Sequence, residues 1–232
     1  MSRIFLVGDI HGSHSISKLN TKNFPIQKEL TKEDVVIQMG DFGNYWAGDK
    51  EEAYWLDWLA AKNFTFAFLD GNHENHQMIW DLPLEEKWGG LVNVDHRTQG
   101  SIYHLRRGEV YTINNKKFLV IGGAQSHDKH LRTIGKDWWE TELLSRADEE
   151  NALNNIDLHN RKFDHVLSHT VPEHVVLEFT ESSTRLHDPV AKFLGFIENL
   201  IDYKSWHIGH FHNDRSVGKI KCHYLYVHEL KD

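Results

Sequence analysis

Sulfur and proline are scarce in this chain, and long apolar runs are absent. A single cysteine, Cys222, stands among 232 residues, which excludes an intramolecular disulfide framework and any cysteine-rich zinc site. With four prolines, no Gly/Ser/Pro-rich tract and no internal repeat, the sequence offers no linker, and residues 1–232 read as a single domain. No stretch approaches the roughly 20 apolar residues that cross a bilayer. The opening MSRIFLVGDIHGS breaks its apolar run with charge, unlike a secretory leader. These absences predict a cytoplasmic protein with no membrane partner and no obligate protein partner. Positive charge is also short. Lys and Arg number 26 against 34 Asp and Glu, a formal net charge of −8, which argues against broad nucleic-acid binding. A nucleotide substrate stays open, because bound cations can reverse the local sign.

Histidine, by contrast, is plentiful: there are 18, alongside 8 Trp. The count decides nothing, but the placement does. A short apolar run ending in Gly and a polar cluster recurs along the chain. Arg3–Val7 enters Gly8-Asp9-Ile10-His11-Gly12, Asp34–Met39 enters Gly40-Asp41-Phe42-Gly43-Asn44, and Phe64–Leu69 enters Asp70-Gly71-Asn72-His73-Glu74. Later, His165–Leu167 leads to Ser168-His169, and Ser205–Ile208 leads to Gly209-His210-Phe211-His212. Runs of this kind, rich in Val, Ile and Phe, predict buried strands. Glu51–Lys62 carries apolar residues at helical spacing and predicts a crossover helix, with Trp55 and Trp58 on its core face. Strand, helix, strand points to an α/β sheet flanked by helices. Glu109–Gly122, broken at Asn114-Asn115, predicts a hairpin and hence mixed sheets. Thr141–Asn155 predicts a helix with a Thr, Glu or Asp start, and Lys219–His228 a last strand.

In such folds ligands gather beyond the carboxyl ends of the strands. Nearly every predicted strand end carries Asp, Asn or His: Asp9, His11, Asp41, Asn72, His73, His169, His210 and His212. Taken singly, the Asp and Asn residues are as well explained as turn formers, and His169 as an ordinary histidine. Together, carboxylate oxygen and imidazole nitrogen suit Mn, Fe, Zn, Co or Ni. Seven ligands drawn from these eight residues exceed one tetrahedral site and suit two metal ions that share a carboxylate. His14, His76, His96, His104, His159, His174, His187, His207, His223 and His228 have no assigned partner and are expected to be solvated or structural.

Taken in order, GDIHG, GD…N, GNHE, the separate His169 and GHFH resemble the signature of the calcineurin-like metallophosphoesterases, in particular bacterial and phage-type members. The motifs run from residue 8 to residue 212. The resemblance implies a four-layer αββα sandwich and two divalent metal ions, manganese first among the candidates. It implies that Asp9, His11 and His212 hold one metal, that Asn72, His169 and His210 hold the other, and that Asp41 bridges them. A hydroxide between the metals would attack phosphorus while His73 protonates the leaving oxygen. The substrate would be a phosphate mono- or diester, nucleotide- or nucleic-acid-derived esters included.

One departure matters. Many members carry GDxxDRG at the second motif, whereas here Asn44 stands in place of the second Asp and no Arg follows. This disfavours the runner-up, a Ser/Thr protein phosphatase-like enzyme, and leaves Asn44 as a neutral partner for substrate or His73. Residues 123–145 concentrate His, Arg and Trp in a predicted rim or cap loop, from which His127 or Arg132 would bind phosphate. Trp138 and Trp139 are expected to pack rather than stack a base. A catalytically silent scaffold on the same fold is the competing class. It usually lacks ligands or the catalytic His, and all of them are present here.

Overall fold

The strand register follows from an alternation that the apolar runs conceal. A computed structural model describes residues 2–231. In β1 (Ile4–Val7), Ile4 and Leu6 enter one apolar cluster while Phe5 and Val7 enter another. The same split holds in β2 (Val35–Met39), where Val35, Ile37 and Met39 face the first cluster and Val36 the second. Both faces are covered, so the runs read as continuously apolar although each strand has the usual period of two.

Parallel pairing joins β1 to β2 and β2 to β3 (Thr65–Leu69), with α1 (Lys50–Ala60) as the crossover between the latter two. Asp49 caps α1 by accepting from the amides of Glu51 and Glu52. After α2 (His76–Trp80) come β4 (Leu84–Lys87), β5 (Gly90–Arg97) and β6 (Gly100–Leu105). Here β6 lies parallel to β3 and antiparallel to β5. The predicted hairpin is β7 (Val110–Ile113) and β8 (Lys116–Ile121), with Asn114 and Asn115 at φ 50° and 61°. Two successive positive φ values are what a tight hairpin turn requires.

A second sheet continues through α3 (Arg146–Leu158), β9 (Lys162–Ser168), α4 (Val176–Phe179), α5 (Pro189–Glu198) and β10 (Asp202–Ile208). It ends with β11 (Ser216–Val217) and β12 (Ile220–Cys222), while β13 (His228–Glu229) returns to the first sheet. The strand orders are β13-β1-β2-β3-β6-β5-β4 and β11-β12-β10-β9-β8-β7. Leu6, Ile37, Leu69, Val94, Phe118 and Val120 fill the space between the sheets. Leu56 and Leu59 of α1 cover the outer face of one sheet; Ile156 of α3 with Leu194 and Ile197 of α5 cover the other. The order of layers is therefore helix, sheet, sheet, helix, as the resemblance implied. No helix among the described residues is long and apolar enough to cross a membrane.

Two expectations are corrected. The helix expected over Thr141–Asn155 starts later, at Arg146. Ser145 caps it, accepting from the Asp148 amide while the Asp148 carboxylate accepts from the Ser145 amide. This reciprocal pair outcompetes Thr141, which lies in a short 3-10 turn. The single strand expected over Lys219–His228 is two strands in different sheets. Asp214 accepts from the amides of Tyr224 and Leu225, both at 2.9 Å, and so turns the chain out of the second sheet. β13 then pairs antiparallel with β1. We predict that Asp214→Ala frees this segment. Hydrogen exchange at the Leu230 amide, which donates to Ile4 O, should accelerate, and stability should fall by about 1–3 kcal/mol.

Candidate metal centre

Every motif loop leaves a strand at the same end of the two sheets: Asp9 and His11 after β1, Asp41 after β2, Asn72 and His73 after β3, His169 after β9, His210 and His212 after β10. Glu74 ties two of these loops together. Its buried carboxylate accepts from the amides of Phe42 and Gly71. Gly71 must be small, because a Cβ there would fall 2.3 Å from Asp41 Oδ1. The loops are also bent hard. His11, Asp41, His210 and His212 have φ of 49°, 56°, 67° and 50°, the left-handed region that costs side-chain-bearing residues roughly 1–3 kcal/mol each. Four of the expected ligands share this unfavourable conformation, so the surrounding packing holds them there.

The side chains converge. Asp9, His11, Asp41 and His212 present ligand atoms that all lie within 4.8 Å of one another, and Asp41, His169 and His210 do the same. Asp41 belongs to both groups. Asn72 joins the second, its Oδ1 3.2 Å from His169 Nε2. Asp41 Oδ1 also accepts from the amides of Asn72 and His73, at 2.9 and 2.8 Å, which fixes the bridging carboxylate against the third motif.

Proton accounting shows what the cluster needs. His169 Nδ1 lies 2.8 Å from Met39 O, and a carbonyl only accepts, so Nδ1 carries a proton and Nε2 is the ring nitrogen turned toward the cluster. Facing Nε2 are Asp41 Oδ1 at 3.1 Å, Asn72 Oδ1 at 3.2 Å and His210 Nδ1 at 3.2 Å. On the other side His11 Nε2 and His212 Nε2 face each other at 3.1 Å, and Asp9 Oδ2, fully buried, has no well-aligned hydrogen bond. The imidazole nitrogen of His212 lies 2.9 Å from that oxygen. Carboxylate oxygen, amide oxygen and imidazole nitrogen gathered on both sides of Asp41 match the donor sets of cations. The electrostatics agree. Burial pushes Asp9 and Asp41 up, but neighbouring histidines outweigh it and both stay below the ordinary carboxylate range. Burial pushes His169 down, yet Asp41 and Asp9 raise it to about 10. The cleft calls for positive charge.

The calcineurin-like phosphoesterase family matches residues 2–214. The chain belongs to that family. It is therefore a metal-dependent hydrolase of phosphoric esters. Among solved structures, a phosphopantetheinyl hydrolase from Mycobacterium tuberculosis aligns over 97% of this chain and 90% of its own at 13% identity, with a TM-score of 0.46. No curated protein matches the chain.

In this phosphoesterase the residues expected beyond the motifs fare unevenly. Arg132 reaches the site. Asp128 grips it through two 2.8 Å contacts, and its two terminal nitrogens lie 3.4 Å from the two ring nitrogens of His73. Burial pushes His73 below its ordinary value; Asp41 opposes this, while His11, Arg132 and His169 add to it. Trp46 lies over His73 at 6.1 Å, and Trp139 meets Trp46 edge-on at 4.8 Å, so Trp139 packs as expected. Asn44 does not reach His73. It is buried, with its amide nitrogen 3.4 Å from Phe42 O. His127 is exposed, and no hydrogen bond among the described residues brings it to the cluster. Its neighbour Ser126 takes the inward position instead.

Ser126 and its partner Glu142 were not legible as site residues. Asn72 Nδ2 donates to Ser126 Oγ at 3.0 Å, and Ser126 donates to Glu142 from both Oγ, at 2.6 Å, and its amide, at 2.9 Å. This relay sets the amide flip of Asn72 so that Oδ1 faces His169. Asp70 anchors the same region. It accepts from His104 and Arg107, and Arg107 in turn donates to Leu143 O and Thr141 O. Ser126→Ala removes the acceptor that holds Asn72 Nδ2. Calorimetric titration with Mn should then show one of two binding steps weakened about ten- to a hundredfold, with the other unchanged.

Proposed function

We propose that the protein hydrolyses phosphate esters with two divalent cations. One would be held by Asp9, His11, Asp41 and His212, the other by Asp41, Asn72, His169 and His210. Bound there, the cations would supply Lewis acidity toward water and toward the phosphoryl oxygens. The observation that carries this reading is the convergence of the two ligand groups on Asp41, which belongs to both. Oxygen and nitrogen donors without thiolate suit manganese, with Fe, Zn, Ni or Co as alternatives.

The remaining steps fall to the chain's own side chains. His73, beside Asp41 but outside both ligand groups, protonates the leaving oxygen. Its depressed basicity makes the imidazolium a strong acid, and an arriving phosphate anion favours the charged form. Arg132, held by Asp128, offers a guanidinium to the phosphoryl oxygens next to His73. Trp46 and Trp139 line the same side with aromatic surface, which makes nucleotide-derived esters the first substrates to assay.

Two substitutions test the roles. Asp41→Asn removes the shared carboxylate charge and should abolish metal-dependent turnover of p-nitrophenyl phosphate. His73→Ala should slow phenyl phosphate by about 10²–10⁴-fold, yet slow p-nitrophenyl phosphate far less, because p-nitrophenolate leaves without a proton. Equal losses on the two esters would remove His73 from the acid role.

A further inference from the structure

The ligand histidines are not supported alike. His169 gives its second ring nitrogen to Met39 O, the usual way in which a metal-binding imidazole is oriented. His212 is placed differently. Its side chain is 47% exposed, and its φ is 50°. Nε2 faces Asp9 Oδ2 and His11 Nε2, at 2.9 and 3.1 Å, but no hydrogen bond among the described residues reaches Nδ1. What meets the ring instead is Tyr224, stacked on it with centroids 4.6 Å apart and planes 13° from parallel.

Tyr224 is itself pinned twice. It lies in the loop between β12 and β13, where its amide donates to Asp214 Oδ1 at 2.9 Å. The ammonium of Lys18 sits 4.0 Å from its ring centroid, and the same ammonium donates to Asp9 O at 2.7 Å. The chain of contacts from Asp9 through Lys18, Tyr224 and His212 therefore closes on itself, because His212 Nε2 returns to the Asp9 carboxylate. The Tyr224 hydroxyl makes no hydrogen bond among the described residues. Its ring face alone touches the site.

We propose that Tyr224 is a positioning residue: its ring, clamped by Lys18, orients His212 and so tightens the hold of Asp9, His11, Asp41 and His212 on their cation. This rests on the two-cation reading proposed above. The stack favours the loaded state. An aromatic face is electron-rich, and an imidazole bound to a divalent cation carries more positive charge than a free one. The contact therefore strengthens when the cation arrives. An aliphatic side chain in the same place would fill space without that gain. Stacking also suits a ligand at the exposed rim, since it fixes the ring plane while leaving Nδ1 to water.

Calorimetric titration of the full chain with Mn tests the role without recourse to turnover. The wild type should show two binding steps. Tyr224→Phe, which keeps the ring, should match the wild type within about twofold in both. Tyr224→Leu, which keeps apolar bulk but no aromatic face, should weaken one step about three- to thirtyfold and leave the other unchanged. Ser126→Ala, acting through Asn72, should weaken the opposite step. Lys18→Met should weaken the same step as Tyr224→Leu, and the two together should lose less than the product of their separate effects. Tyr224→Leu that binds Mn like the wild type, Tyr224→Phe that is as weak as Tyr224→Leu, or equal weakening of both steps would each overturn the assignment. The expected split in Mn binding, in a wild type that turns over no phosphate ester, would uphold it and overturn the hydrolase function instead. A wild type with one Mn step would overturn the two-cation reading and this role with it.

Discussion

Two carboxylates, Asp9 and Asp41, are buried at the mouth of the sandwich, with relative exposures of 0% and 2%. Placing two like charges out of water is costly, and the rest of the site is organised around that cost. Backbone amides of His210, Asn72 and His73 donate to the two carboxylates, and imidazoles surround what remains. Hydrogen bonds do not finish the task. Asp9 Oδ2 has no well-aligned partner, and the nearest ring nitrogens are themselves arranged as ligands. Divalent cations would balance the two carboxylates while leaving the imidazoles neutral, as ligands must be. The strained backbone at His11, Asp41, His210 and His212 follows from the same constraint, since the ligands must be held before the charge that rewards them arrives.

The parts of this arrangement that depend on local sequence were legible. An apolar run stopped by Gly and followed by Asp or His announces both a strand and the functional end of that strand. This pattern placed β1, β2, β3, β9 and β10 with their ligand loops. The hairpin at Asn114-Asn115 was equally plain, because both residues tolerate the positive φ that the turn needs. What escaped depends on distant partners. β4 to β6 lack a motif to mark them. The split of the C-terminal strand rests on Asp214, ten and eleven residues before the amides it holds. Ser126 and Glu142 gain their meaning from Asn72, more than fifty positions away. No periodicity carries such information.

The second motif illustrates how a missing signal can mislead in part. Its lack of an arginine weakens the likeness to protein phosphatases, and Asn44 does not compensate by reaching His73. Yet the cleft is not short of guanidinium groups, because Arg132 and Arg185 come to it from segments without motif character. Motif grammar therefore marked the residues that would hold cations better than the groups that would meet a phosphate. Ligand positions are fixed by strand ends, which the sequence announces. The surrounding loops are free to supply the same chemistry from elsewhere in the chain.

The most direct measurement is a crystal structure of the protein grown with Mn, with anomalous scattering recorded to place the metal. Two peaks roughly 3.5–4 Å apart, one within bonding distance of Asp9, His11 and His212, the other of Asn72, His169 and His210, with Asp41 touching both, are the predicted result. A single peak, or two peaks that do not share Asp41, would contradict the dinuclear account.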